Sequence, residues 1–257
     1  MNNIRLDFDA YGPAHGPLLI FLHSLGQNRG MWSVQVAELC GEFRGIAIDL
    51  RGHGSSPAPS GPYTITELAD DVVETVDSLG ATEFMVCGIS IGGMIALQLA
   101  VSHPDRIPAV IAANTGARVG TAESWQARVD LVDSSGMDMV AESIVHGWFD
   151  PTFAATNPEV VENARRALRE TSPAGYIGCC RALGMADLRG RVGGIEARTL
   201  IVAGAEDRST PVALAESLRD EIPGSRLVVI SGASHLSNLD AAQEFNQVAS
   251  DFLEGVG

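Results

Sequence analysis

A chain of 257 residues, 46% of them hydrophobic, is long enough for one α/β domain carrying an insertion and apolar enough to bury a large core. Its net charge of −15 and pI near 4.7 argue against nucleic acid and anionic membrane as partners, because both need basic surface. The longest apolar runs, such as LLIFL at 18–22, are too short to span a bilayer, and the N-terminus lacks the basic–apolar–small order of a secretory signal, so a soluble cytoplasmic protein is expected.

Short apolar runs recur along the chain. IRLDFDAYG (4–12) alternates and reads as an opening strand. LLIFLH (18–23), FRGIAIDL (43–50) and EFMVCGIS (83–90) follow as continuous runs, and IPAVIAAN (107–114), RTLIVAGAED (198–207) and SRLVVISGASH (225–235) repeat the form. Continuous runs of this kind suit strands covered on both faces, as in a parallel sheet. Helical segments alternate with them. Residues 64–80 place Leu68, Val72, Val76 and Leu79 on one face, and Gly80 stops the pattern. Residues 91–105 are nearly all apolar and predict a central buried helix. Residues 211–222 open with Pro211, and 239–255 close the chain as a helix. The alternation predicts an α/β fold with a mostly parallel, doubly covered sheet.

The rhythm breaks between 116 and 195, where no strand is evident. Helices are expected at 157–170 and 172–183, each opened by a cap-like residue and proline, Asn157-Pro158 and Ser172-Pro173. The expected organisation is a core of 1–115 and 196–257 interrupted by a helical lid of 116–195. The four cysteines, Cys40, Cys87, Cys179 and Cys180, have neither C-x-x-C nor zinc spacing, so no disulfide, metal or cofactor is expected.

Gly88-Ile89-Ser90-Ile91-Gly92 matches G-x-S-x-G and sits between a predicted strand and a predicted helix. A sharp turn there projects a serine hydroxyl, and small residues at 88, 92 and 93 let the backbone close up. The following helix aims free N–H groups at a reacting oxygen. A base must accompany such a serine. Of the six histidines, His235 ends the last strand in GASHLSN, on the sheet edge where open α/β folds place function. His53, in the glycine-rich RGHGSS, reads as structural; His103 reads as a helix-end cap. The acid comes from VAGAEDRSTP at the end of the penultimate strand, where Asp207 fits the loop better than Glu206. The chain order Ser90, Asp207, His235 matches one class of serine triad. Position alone makes the N–H groups of Ile91 and of Leu25, in HSLG (23–26), the candidate oxyanion donors.

These features resemble the α/β-hydrolase superfamily along the whole chain, with DLRGHGSS (49–56) as a further matching turn. More narrowly, HSLGQNRGMW (23–32), RGHGSSPAPSGPYTITELADDV (51–72), GISIGGMIALQLA (88–100), ANTGARVGTAESWQARV (113–129), HGWFDP (146–151) and GASHLSNLDAAQEF (232–245) resemble 3-oxoadipate enol-lactonases of aromatic catabolism. The resemblance implies opening of a carboxylated lactone to 3-oxoadipate and assigns nucleophile, acid and base to Ser90, Asp207 and His235. Trp32, Trp125 and Trp148 are expected to line an apolar pocket, with Arg128 as the candidate partner of a substrate carboxylate. The chain departs from those lactonases in carrying His23 where they usually have asparagine. Carboxylesterases and C–C bond hydrolases share the same triad, and a slow-turnover sensor of the same fold is the alternative from another class. The expected partner is a small lactone or ester.

Overall fold

The computed structural model describes residues 4–254; residues 1–3 and 255–257, which the expected core segments and closing helix include, lie outside the described residues. Seven strands form one sheet: β1 (Phe8–Tyr11), β2 (Leu18–Leu22), β3 (Arg44–Ile48), β4 (Met85–Ile89), β5 (Ala109–Ala113), β6 (Arg198–Gly204) and β7 (Arg226–Ile230). Their spatial order is β1-β3-β2-β4-β5-β6-β7, parallel throughout except for β1, which pairs antiparallel with β3. Every residue of β2, β4 and β5 is buried, which is why these strands read as unbroken apolar runs.

The helices are α1 (Ser33–Leu39), α2 (Ile65–Ser78), α3 (Ile91–Ser102), α4 (Ala122–Ile144), α5 (Pro151–Thr156), α6 (Pro158–Glu170), α7 (Pro173–Met185), α8 (Val212–Glu221), α9 (Ser237–Asp240) and α10 (Ala242–Leu253). They cover both sides of the sheet, with α1 packed on α10 and α2 on α3. Helix α2 starts with a reciprocal cap: Thr64 Oγ1 accepts from the Glu67 N–H at 3.1 Å, and Glu67 Oε2 accepts from the Thr64 N–H at 2.8 Å. Its buried stripe is Leu68, Val72 and Val76, and it is followed by Gly80 at φ +73°. Helix α3 is buried from Ile91 to Ala100, consistent with its apolar sequence.

Four segments differ from the sequence reading by more than three residues at an end or in their role. The opening run 4–12 is a strand only from Phe8 to Tyr11. The run 225–235 is a strand only to Ile230, because Gly232 turns the chain at φ +74°. Strand β7 lies at the sheet edge, and its Val229 is 41% exposed, so it is not covered on both faces. The closing helix is broken at Ala241 into α9 and α10. Asn157 precedes α6 but its side chain does not cap it; its amide turns back and donates to the Phe153 carbonyl of α5 at 3.1 Å.

Between β5 and β6 the described residues form α4 to α7 and no strand. Helix α4, which the sequence reading did not delimit, bends at Gly136, whose φ of +73° breaks its spacing into two arms. This helical block rests on the loop after β3. Gly175 of α7 meets Gly52 backbone to backbone, so closely that a Cβ on either would strike the other. The loop itself is fixed by Arg51, paired through Nε and Nη2 with the buried Asp71 at 2.7 Å each.

Candidate active site

Strands β2 and β4 are neighbours, with Leu22 opposite Gly88. The chain leaves β2 toward β3 on one side and returns through β4 to the other. Their carboxyl ends therefore flank a crevice at a reversal of strand order, where open α/β sheets bind ligands. Ser90 stands at the tip of β4 with φ 59° and ψ −120°, a conformation rare for a residue with a side chain. The neighbouring glycines permit it. A Cβ on Gly88 would collide with the Gly92 backbone, one on Gly92 with the Leu22 carbonyl, and one on Gly93 would come within 2.8 Å of Thr115.

The structure brings the predicted serine, base and acid together from three loops. His235 Nε2 lies 3.1 Å from Ser90 Oγ, and His235 Nδ1 lies 2.9 Å from Asp207 Oδ2. Asp207, not Glu206, faces the histidine; Glu206 is exposed. Asp207 is almost fully buried, which opposes its charge, yet His235 and hydrogen bonds from Thr210 and Asn114 hold its carboxyl well below the usual range. Its Oδ1 accepts from the N–H groups of Ser209 (2.8 Å) and Thr210 (2.9 Å). Its Oδ2 accepts from Thr210 Oγ1 (2.5 Å) and Asn114 Nδ2 (2.8 Å). An ionised carboxylate beside Nδ1 sets the tautomer that leaves Nε2 free to accept the serine proton.

Asn114 escaped the sequence reading. It follows β5 at φ 44°, donates from Nδ2 to both Asp207 and the Ser234 carbonyl, and accepts at Oδ1 from Ser237 Oγ at 2.5 Å. A polar residue ending an apolar strand was the available signal. Its partners come from two other loops, so only the folded chain reveals what it does.

The candidate oxyanion donors lie on either side of the serine. Ile91 opens α3, so its N–H has no partner within the helix. Among the described residues no hydrogen bond engages the Leu25 N–H. The loop carrying Leu25 is tied down by two buried histidines whose rings stand 5.0 Å apart. His23 Nδ1 donates to the Ser24 carbonyl at 2.8 Å and its Nε2 accepts from the Leu50 N–H at 2.9 Å. His53 Nε2 accepts from the Gly26 N–H at 3.0 Å and its Nδ1 donates to the Arg51 carbonyl at 3.1 Å. Burial pulls the His23 imidazole down to about 4; burial, and then the neighbouring His23, pulls His53 down to about 3. Both are neutral at pH 7, which fits rings that each donate once and accept once.

A cavity of about 360 Å³ opens beside Ser90 and His235. Trp125, Arg128 and Trp148 of the helical block line it, as the sequence reading expected. Trp125 Nε1 donates to the Val119 carbonyl at 2.7 Å, and the Trp148 carbonyl accepts from the Leu236 N–H at 3.2 Å, directly beside His235. Trp32 does not line the cavity. It is fully buried in the core, its ring 5.4 Å from Phe21 and 6.2 Å from Phe245, because the turn Arg29–Trp32 directs it inward between β2 and α10. Among the lining residues the sequence reading did not single out are Tyr176 and Arg208. Arg128 Nη1 donates to Tyr176 Oη at 3.4 Å, and burial pushes the Tyr176 phenol up, so it stays protonated. Arg208 immediately follows the acid Asp207. No described residue lining the cavity is acidic, although the whole chain carries −15.

Residues 17–242 match the family described as the alpha/beta hydrolase fold. The chain is 41% identical to 3-oxoadipate enol-lactonase 2 of Acinetobacter baylyi, over 95% of this chain and 91% of that protein. It is 34% identical to 3-oxoadipate enol-lactonase 1 of the same organism over the same shares. The crystal structure of the enol-lactonase from Burkholderia xenovorans LB400 superposes with a TM-score of 0.96 at 36% identity, covering 98% of both chains. With the serine turn, the strand order and these similarities in agreement, this chain belongs to the alpha/beta hydrolase fold family.

Proposed function

We propose that the protein is a serine hydrolase that opens a carboxylated enol-lactone, releasing 3-oxoadipate in the cytoplasmic breakdown of aromatic compounds. The observation that carries this reading is the Ser90–His235–Asp207 chain of hydrogen bonds at a cavity holding two arginines and no acid. Ser90 Oγ attacks the lactone carbonyl while its proton passes to His235 Nε2. Asp207 stabilises the imidazolium that forms. The N–H groups of Leu25 and Ile91 hold the tetrahedral oxyanion. The ring C–O bond then breaks, and His235 returns the proton to the departing enol oxygen. His235 next takes a proton from water as the water oxygen attacks the acyl-serine carbonyl; the acyl C–O bond to Ser90 then breaks, His235 returns the proton to Ser90 Oγ, and the freed enol acid ketonises to 3-oxoadipate. No step calls for a metal or cofactor. Arg128 binds the carboxylate the lactone already carries, with Tyr176 steadying its guanidinium. The helices α4 to α7 act as the lid, and Trp125 and Trp148 supply its apolar walls. The small partly polar cavity suits a compact anionic lactone better than a long-chain ester.

Acid release from 3-oxoadipate enol-lactone in a pH-stat tests the assignment. Ser90→Ala, folded as wild type by circular dichroism, loses roughly ten-thousandfold or more of the turnover, since triad members act as a unit. Retention of most activity refutes a serine nucleophile.

A further inference from the structure

We infer that His23 is a positioning residue for catalysis: it grips the peptide whose N–H receives the oxyanion, and His53 secures the next hydrogen-bonding group along the loop. The inference rests on the reading of Ser90 as nucleophile and Leu25 as an oxyanion donor.

The geometry is specific at the level of single peptide groups. The oxyanion donor, the Leu25 N–H, belongs to the same peptide group as the Ser24 carbonyl. That peptide is trans, so its N–H and C=O point in opposite directions. His23 Nδ1 holds the carbonyl at 2.8 Å, and the Gln27 N–H shares it at 3.0 Å. With the carbonyl fixed on the core side, the Leu25 N–H is directed the other way, and Leu25 lines the cavity beside Ser90. Hydrogen bonding at the carbonyl also polarises the peptide and strengthens its N–H as a donor.

The proton on His23 is placed by its partners. The Ser24 carbonyl only accepts and the Leu50 N–H only donates, so Nδ1 carries the hydrogen and Nε2 does not. His53 has the same tautomer for the same reason, and its Nε2 takes the Gly26 N–H. Gly26 itself sits at φ +74° against Leu168 of the lid, leaving no room for a Cβ. The oxyanion loop is thereby clamped by side chains that contact no substrate.

Two conservative substitutions separate the two bonds of His23. Asparagine presents an amide N–H where Nδ1–H stands and can still hold the Ser24 carbonyl. Glutamine presents its terminal group where Nε2 stands, so it can accept from Leu50 but leaves the Ser24 carbonyl to Gln27 alone. Each variant is assayed for kcat and KM on the enol-lactone and for inhibition by trifluoroacetophenone, whose serine adduct places an alkoxide in the oxyanion hole.

His23→Gln is expected to lower kcat by about tenfold or more, below the roughly hundred- to thousandfold cost of losing a whole oxyanion donor, with KM little changed. Its inhibition constant for trifluoroacetophenone rises by the same factor, and His23→Asn recovers both. A role in folding alone would lower thermal stability without this parallel. If His23→Gln does not fold, His53→Asn, which removes the acceptor for the Gly26 N–H, is read in the same way. The inference fails if kcat survives the variant, if kcat falls without loss of ketone affinity, or if asparagine rescues nothing. A wild-type enzyme that the ketone does not inhibit, together with an active Ser90→Ala, overturns the nucleophile assignment instead and takes the inference with it.

Discussion

In the proposed lactonase, Arg128 is the residue that tests the choice of substrate. Its guanidinium is half-buried in the cavity wall, three residues from Trp125 on the same face of α4, and meets only the Tyr176 hydroxyl at 3.4 Å. Among the described residues it has no carboxylate partner, so a bound substrate carboxylate competes with no internal ion pair. A hydrogen bond to a charged group contributes about 1.5–3 kcal/mol. At tenfold per 1.4 kcal/mol, Arg128→Ala lowers kcat/KM for the carboxylated lactone by roughly 10- to 150-fold. The effect enters through KM, because the carboxylate lies away from the reacting carbonyl and binds ground and transition states alike. A neutral lactone or ester of similar size loses little. The assay is a pair of saturation curves, one for each substrate, for wild type and variant. Arg208→Ala serves as comparison, since it removes the same charge from the acid loop. Equal losses on both substrates would refute the carboxylate role and make Arg128 a packing residue. Wild-type preference for the neutral ester would remove the lactonase reading and leave a general esterase.

Two further outcomes follow from the buried polar groups. Asn114→Ala withdraws donors from Asp207 and Ser234 and an acceptor from Ser237, and it places alanine at φ 44°; urea unfolding should show a loss of about 2–4 kcal/mol, with kcat falling more than KM rises. His53 has a folded-state value near 3, below the 6.5 of the unfolded chain, so unfolding takes up a proton between these limits and its stabilising contribution is lost as pH falls from about 6.5 toward 3. Measured against His53→Gln, which cancels the other titrating groups, wild-type stability should fall by up to about 1.4 kcal/mol per pH unit through that window, and a pH-independent difference would mean that His53 is not buried neutral.

Much of the fold was legible because its signals are local. The runs at 18–22, 85–89 and 109–113 are apolar at every position because both faces of β2, β4 and β5 are covered. The turn at Ser90 was legible because close contacts, with backbone at 88 and 92 and with the Thr115 side chain at 93, exclude side chains there. His235 and Asp207 could be named because loops at the carboxyl ends of parallel strands converge on one edge. Other properties depend on partners distant in sequence. Nothing near Asn114 announces that it will join Asp207, Ser234 and Ser237, which arrive from more than ninety residues away. The tryptophans show the same division. All three have the composition of a pocket wall, but only the packing of the turn Arg29–Trp32 against Phe21 and Phe245 sends Trp32 into the core while Trp125 and Trp148 face the cavity. The two buried histidines depend on tertiary structure most of all. A sequence shows an imidazole; which nitrogen holds the proton, and which peptide it aims, is decided by the backbone groups the fold sets against it.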